Sequence, residues 1–525
     1  MAILGFIASL LVDISFSWLR MLVALLISIL LGLSIGIYAA RNRLAEKVIM
    51  PIVDVLQTLP ILAFFPFVIL VIVGALPGYV GINAAVIFLI VTSMVWNIIF
   101  GAYEAVKTLP NEVLDVSKVY QLGGFGTLRK ILLPASMPKV VEQSMLSWSI
   151  GLFYLVTSEI FSTASSTYTV KYGIGVALTN LALSGNYFEY AIGIVVFIIF
   201  VVLTRALLFA PLERLFSRYS EPTQARAESR FAGLVRRFRL HSTIRLHWPA
   251  RGKAPERRYM AGKEAAAPDI GEMHAHSMVA RIALIVAVLL ALALLYATGV
   301  INAQNLGYEY SVLVALAASF ARIWFAFAVI LLISVPVSIY LIFMSKHSSA
   351  YVTLFQVIAS IPATILLPLI VLSFRSYPMH DELVAFVIFV MSGLWYMIFS
   401  IMANRSYIQG SVLEVKRLFK VRGINAWKSV YLKAIVPGLI TGGITAIAAE
   451  WNASIVAEQF TSTAIGSGTP ITSVGIGMGK FLDVQLGAGH LWLMALALIN
   501  LTAMIIIINR LLWKRMYGRV AKIYA

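Results

Sequence analysis

Five charged side chains fall inside otherwise apolar runs: Arg20, Glu159, Arg322, Glu458 and Glu450. A lone charge at mid-membrane costs about 2.5–3.5 kcal/mol on insertion scales, so such groups seek partners or water. Arg20 and Arg322 stand near the start of one run each, Glu159 and Glu458 near the end of another. Three places are open for each Glu: an ion pair with the Arg of its own half, the outer mouth of a path, or the interface, reached by snorkelling. Glu450 sits deeper in its run, beside Trp451 and Asn452, and suits either a pathway residue or a locally hydrogen-bonded group. Ser144, Ser147 and Ser149 are polar residues that could face the same path. Gln57, Thr58, Gln356 and Ser360 adjoin Pro60, Pro66, Pro362 and Pro368, whose rings free backbone carbonyls within a helix. These groups either line a path between two halves or mark packed kinks. Trp96 and Trp395 read as packing residues.

Catalytic and metal signatures are missing. The Gly-Lys pairs at 252, 262 and 479 are followed by Ala, Glu and Phe, so none completes a phosphate-cradling G-x-x-x-x-G-K-[ST] loop. H-E-x-x-H and clustered His-carboxylate sets do not occur, and there is no cysteine. His274 and His276 form a His-x-His without further ligands nearby, so no metal site is assigned. The expectation is a non-enzymatic chain that binds no cofactor itself.

The elements that must position these groups are membrane spans. Of 525 residues, 60% are hydrophobic and 12% charged, where a soluble protein carries about 25% charged residues. Spans are expected near 17–40, 52–75, 80–103, 138–161 and 187–210, then 278–300, 320–343, 351–374, 383–403, 436–458 and 487–511. The net charge of +18 is read as cytoplasmic loop charge and not as a nucleic-acid surface. Arg41, Arg43, the segment 213–277 and the tail from Arg510 to Lys522 then lie in the cytoplasm and the N-terminus outside, with residues 1–12 as an interfacial helix or part of a span.

The two halves repeat each other. Arg20 matches Arg322, Pro60 matches Pro362 and Pro66 matches Pro368, each 302 positions apart. Trp96 matches Trp395 and Glu159 matches Glu458, 299 apart. So steady an offset means duplication and fusion. The repeat is parallel, unlike the inverted repeats of many transporters. Glu450 falls opposite Gly151 and has no charged counterpart. The domains are 1–212, a basic linker 213–277 and 278–525.

Two polar islands interrupt the spans at the same place in each half, 111–138 and 410–437. Asp115 matches Glu414, Gly124 matches Gly423 and Leu128 matches Trp427. Each island reads as a short helix, a turn containing glycine and a second short helix. Phe125, Leu128, Ile424 and Trp427 are expected to pack on the bundle, leaving the polar side for a partner.

These hairpins resemble the cytoplasmic "EAA" loops of binding-protein-dependent ABC importer permeases. The wider pattern is similar too: Ser-x-x-Arg opening a span, Leu-Pro or Ile-Pro with a second Pro six on, then Trp, the loop, and Glu near the end of the next span. The nitrate/sulfonate/taurine branch is the most alike. Departures are clear: Val116-Ser117 and Val415-Lys416 replace the Ala pair, and the family glycine falls on Gln121 and Lys420. The resemblance implies an all-α, type I permease of two tandem bundles, about five plus six spans. It implies a multi-pass protein of the cell inner membrane that imports a small polar solute. A cytoplasmic ATPase dimer would carry ATP and magnesium and seat at Asp115, Gly124, Leu128, Glu414, Gly423 and Trp427. An extracytoplasmic binding protein would deliver the solute, a nitrate-, sulfonate- or taurine-like anion. The alternative is a secondary transporter driven by an ion gradient.

Overall fold

The structure is a computed structural model. It describes residues 2–58, 60–76, 78–164, 170–216, 306–345, 351, 354–355, 358–359, 361–374, 376–403, 418–419, 423–459, 474–513 and 515–516. The linker beyond Phe216, the span expected at 278–300, Gln356, Glu414, His274 and His276 lie outside the described residues.

Every regular element described is helical. The first half runs α1 (Ala2–Arg41), α2 (Arg43–Thr58), a 3-10 turn (Ile61–Phe64), α3 (Phe65–Ala75), α4 (Tyr79–Lys107), α5 (Asn111–Val119), α6 (Gly124–Thr127), α7 (Leu133–Ala164), α8 (Ile174–Leu183), α9 (Tyr187–Thr204) and α10 (Ala210–Phe216). The second half runs α11 (Leu306–Ile339), α12 (Ala363–Phe374), α13 (His380–Ala403), α14 (Gly423–Ala426), α15 (Leu432–Gln459), α16 (Met478–Gly487) and α17 (Leu491–Ile508). Wide π turns at Leu128–Leu132 and Trp427–Tyr431 join α6 to α7 and α14 to α15 at matching places. Seven of the described helices are long and apolar enough to cross a membrane. The others expected as spans are short, broken by proline, or carry more polar residues.

Residues 2–12 are no separate interfacial helix. They continue into α1 without a break, and Leu10 and Ile14 are buried in the first half's core. The span expected at 52–75 is also different. Pro60 stops α2, a 3-10 turn follows, and Pro66 sits in the first turn of α3. At that position the missing N–H has no carbonyl to serve, so Pro66 starts a helix and does not kink one. Pro368, its repeat partner, does lie inside α12.

In each half three long helices form the bundle, α1–α4–α7 and α11–α13–α15. Gly32 and Gly36 of α1 let it meet α4 closely: a Cβ on Gly36 would lie 2.6 Å from the Ile99 carbonyl oxygen. Ser334 and Ser338 stand at the matching places of α11. The α4–α7 contact keeps its bulk but exchanges its source. A Cβ on Gly151 would run into Met94, whereas their counterparts are Glu450 against Gly393. Likewise Gly101 faces Gln143, whereas Ser400 faces Gly442. Large opposite small fills the seam whichever helix supplies the bulk.

The proline-broken spans cross between the halves. Leu62 is buried in the second half's core with Leu89 and Tyr154, and Ile365 is buried in the first half's. The Tyr190 hydroxyl of α9 donates to the Ile365 carbonyl of α12.

At the opposite end of α1, α2 folds back on α4. Glu46 accepts from the Tyr103 hydroxyl at 2.5 Å and pairs with Lys107 at 2.7 Å. Partial burial pushes the Glu46 carboxyl up, but the bonds from Lys107 and Tyr103 and the charges of Lys107 and Arg43 outweigh it, holding it below the ordinary 4.5. A carboxyl depressed by folding stabilises the fold above its unfolded pKa, and that contribution is lost as pH falls through the folded value. Docking of α2 is therefore expected to loosen below about pH 4.5. Amide exchange across α2, corrected for intrinsic rates, should accelerate there in the wild type and show no such acid step in Glu46→Gln.

Candidate functional site

Two polar nodes lie buried at the far ends of α7 and α15, and each is built from residues distant in sequence. In the first, Glu159 Oε1 accepts from Arg20 Nη1 at 2.7 Å and from the Ser17 hydroxyl at 2.7 Å. Its other oxygen accepts the Gly175 amide at 2.8 Å. The amides of Gly173 and Ile174 donate to Asp13 and to Ser17 Oγ, at 3.1 and 2.9 Å. Three successive amides at the start of α8 are thus satisfied by side chains of α1 and α7. The exposed end of a helix dipole favours the carboxylate there. Arg20 donates to Glu159, to Asn83 of α4 and to the Tyr172 carbonyl, each at 2.7 Å.

The second node repeats this chemistry. Glu458 accepts from Ser319 at 2.7 Å, Arg322 at 3.0 Å and the Gly479 amide at 2.9 Å, while the Met478 amide donates to Ser319 at 2.8 Å. Glu382 replaces Asn83 and grips Arg322 with both oxygens, at 2.6 and 2.7 Å. Ala315 stands where Asp13 would be. Glycine is required beside both carboxylates. A Cβ on Gly173 would lie 2.7 Å from the Glu159 oxygens, and one on Gly477 would lie 2.5 Å from Glu458 Oε2. Ser17 and Ser319 are legible as part of a repeated Ser-x-x-Arg. The glycine pair is misleading: Gly-Ile-Gly recurs 302 positions on, at 475–477, but the contacts use Gly477 and Gly479, 304 on.

The remaining candidates scatter. Ser147 is bonded within its own half, donating to the Met94 carbonyl at 3.1 Å and receiving Asn97 at 3.3 Å. Asn452 donates to the Ala448 carbonyl at 3.0 Å, with its Oδ1 unpartnered among the described residues. Glu450 is fully buried against Gly393 and Ile330 of its own half, and among the described residues neither carboxyl oxygen has a hydrogen-bond partner. Gln57 is half-buried on α2.

The first hairpin, α5 and α6, lies at the other end of α7, about 45 Å along the helix from the node. Leu114, Leu128 and Ile131 pack against the bundle, and Thr127 and Leu132 are buried. Trp427 packs likewise, edge-on to buried Tyr431 at 6.2 Å. Phe125 and Ile424 do not pack: they are 75% and 70% exposed. Val119 and Tyr120, and their counterparts Leu418 and Phe419, are equally exposed, between 72% and 78%. The outward side of the described hairpin residues therefore carries large apolar side chains among exposed Glu112, Asp115, Arg129 and Lys130 in the first and Lys428 in the second. Gly124 opens α6 and is not the turn residue. The left-handed position is Gln121, φ 49°, in the first hairpin, and Gly423 itself, φ 58°, in the second.

Comparison with known families settles what this repeated architecture is. The family described as binding-protein-dependent transport system inner membrane component matches residues 28–219 and again 334–517. The chain belongs to this family. It thus carries two domains of this transport-system membrane component fused in tandem, a multi-pass arrangement in keeping with its apolar helices. A nitrate import permease protein of Leptolyngbya laminosa is 29% identical over 176 residues, 34% of this chain and 58% of the relative. A glycine betaine/proline betaine transport system permease protein of Escherichia coli is 29% identical over 166 residues, 31% of this chain and 45% of the relative. A bicarbonate transport system permease protein of Synechococcus elongatus is 25% identical over 134 residues, 26% and 46% of the two chains. The matched stretch spans about half the length of these relatives.

The nodes make this architecture sensitive to single changes. Glu159→Ala strands buried Arg20 and is expected to cost about 3–5 kcal/mol, whereas Arg20→Met with Glu159→Met removes both charges and costs less. Gly175→Ala, with its methyl 2.9 Å from the Val156 carbonyl oxygen, should also unfold early. Thermal unfolding in detergent, followed by tryptophan fluorescence, ranks the three.

Proposed function

We propose that this chain is the membrane subunit of an ATP-driven importer for a small polar solute, with both membrane halves in one polypeptide. ATP and magnesium belong to a separate cytoplasmic ATPase dimer, and an extracytoplasmic binding protein delivers the solute. The setting is the cell inner membrane. One observation carries the reading: matching apolar clusters stand exposed on both hairpins, Val119, Tyr120 and Phe125 in one and Leu418, Phe419 and Ile424 in the other. Exposed apolar patches on water-facing segments mark docking sites for other proteins. Two equivalent patches suit two equivalent subunits.

The mechanism follows from stiffness. Leu128 and Trp427 root each hairpin in its bundle, so a partner that shifts the hairpin shifts α7 or α15. The node at the other end locks α7 to α1 and α8, and α15 to α11 and α16. Each half then moves as a body. The proline-broken spans, which pack across the two halves, are the elements that must slide.

For the solute, the nitrate and bicarbonate permeases among the relatives favour a small anion, and the betaine permease extends the class to zwitterions. The runner-up, a transporter driven by an ion gradient, leaves the exposed hairpin residues without a role.

Phe125→Asp and Ile424→Asp put a charge into each seat without touching the bundle. Each is expected to lower ATPase co-purification and ATP-dependent uptake of labelled nitrate, bicarbonate or glycine betaine about tenfold or more. ATPase binding and ATP-driven uptake retained by the double variant would sink the proposal. Uptake in proteoliposomes lacking the ATPase, driven by a proton or sodium gradient, would establish the runner-up.

A further inference from the structure

The repeat supplies its own control for Glu450. At the seam of α4 with α7, Met94 fills the room that Gly151 leaves. At the matching seam of α13 with α15, Gly393 leaves the room and Glu450 fills it: a Cβ on Gly393 would lie 2.8 Å from Glu450 Oε1 and 2.6 Å from Ile330 Cδ1. The first half shows that a flexible thioether suits this space. The second half puts a carboxyl there with both oxygens unpartnered among the described residues. Burying a polar group without a hydrogen bond is costly, and packing does not require it here. An ionisable group kept at such a cost within a span is a functional candidate by default.

The geometry points to Glu450 as a cation-accepting carboxyl of the transport cycle. The inference rests on the reading above, in which the bundles move. An ionised carboxylate only accepts hydrogen bonds, so its complement is a proton, an alkali ion or the cationic head of a solute. No described cation is available to it. Arg322 of α11 is held by Glu382 and Glu458. Lys480 of α16 donates to the Val474 and Gly475 carbonyls. On α13, Tyr396 is the titratable side chain within a turn of Gly393, and Glu382 lies three turns away. Glu458 and Lys433 on α15, and Asp483 on α16, lie in other turns. The 3-10 turn Ile61–Phe64, packed against α15, brings no titratable group.

The test exchanges the two halves' solutions. Gly393→Met with Glu450→Gly recreates the first-half pairing, and Glu450→Gln keeps the shape without the charge. Both go into proteoliposomes with the ATPase and binding protein, beside the wild type. The exchanged variant should unfold at or above the wild-type temperature, while ATP-dependent uptake falls about tenfold or more in both variants. Three series name the cation in the wild type: pH at fixed salt, sodium against potassium against choline at fixed pH, and glycine betaine against nitrate as solute. The dependence found there should vanish in Glu450→Gln. Should the exchanged variant fail to reach the membrane, Glu450→Gln decides alone. Uptake by Glu450→Gln within about twofold of wild type, with its cation dependence intact, overturns the inference. A wild type without ATP-dependent uptake would instead overturn the parent reading.

Discussion

The constraint on which the structure turns is the burial of a carboxylate against the open end of a short helix. Glu159 and Glu458 are fully buried, yet each is surrounded by donors: a guanidinium, a serine hydroxyl and a backbone amide. Remove the donors and the charge is intolerable; remove the charge and Arg20 or Arg322 is stranded. The bare glycines beside each carboxylate let the helix start come close enough to donate. Four elements that share no local sequence are fixed at one point by this requirement. Long helices that would otherwise slide in hydrocarbon, where apolar packing alone discriminates weakly, acquire a definite register.

Around that point the halves are interlocked and not merely adjacent. Each proline-broken span gives residues to the other half's interior, Leu62 in one direction and Ile365 in the other. The broken helix is what makes the crossing feasible, because a straight span would stay within its own bundle. The cross-half bond from Tyr190 has no counterpart among the described residues. The glycine turns at 185 and 489 put Met494, not a hydroxyl, at the matching place. Glu382 against Asn83 and Glu450 against Gly151 are further departures, each placing a carboxyl in the second half alone. Duplication supplied the frame, and the differences lie where a two-fold frame can be made directional.

The hairpins show the same division. Their buried side is conserved in character between the halves, Leu128 and Trp427 rooting the π turns that lead into α7 and α15. Their exposed side repeats large apolar residues that a lone chain leaves in water. Exposed apolar clusters of this kind mark interaction surfaces, and the proposed docking of two subunits rests on their matching.

Much of this was written in one dimension. Apolar run length fixes helices that span, because lipid leaves backbone groups no other partner. The constant offset between Arg20 and Arg322, or Glu159 and Glu458, fixes duplication. Other features needed the third dimension. That Glu450 lacks a partner, that Phe125 points outward, and that Gly477 rather than Gly475 meets Glu458 depend on which helices face each other. A one-dimensional offset cannot register a loop that is longer in one half. The left-handed Gln121 is likewise invisible beside three nearby glycines, since the turn's place is set by where α6 must root. Periodicity names the helices, but only packing decides which atoms each buried charge finds.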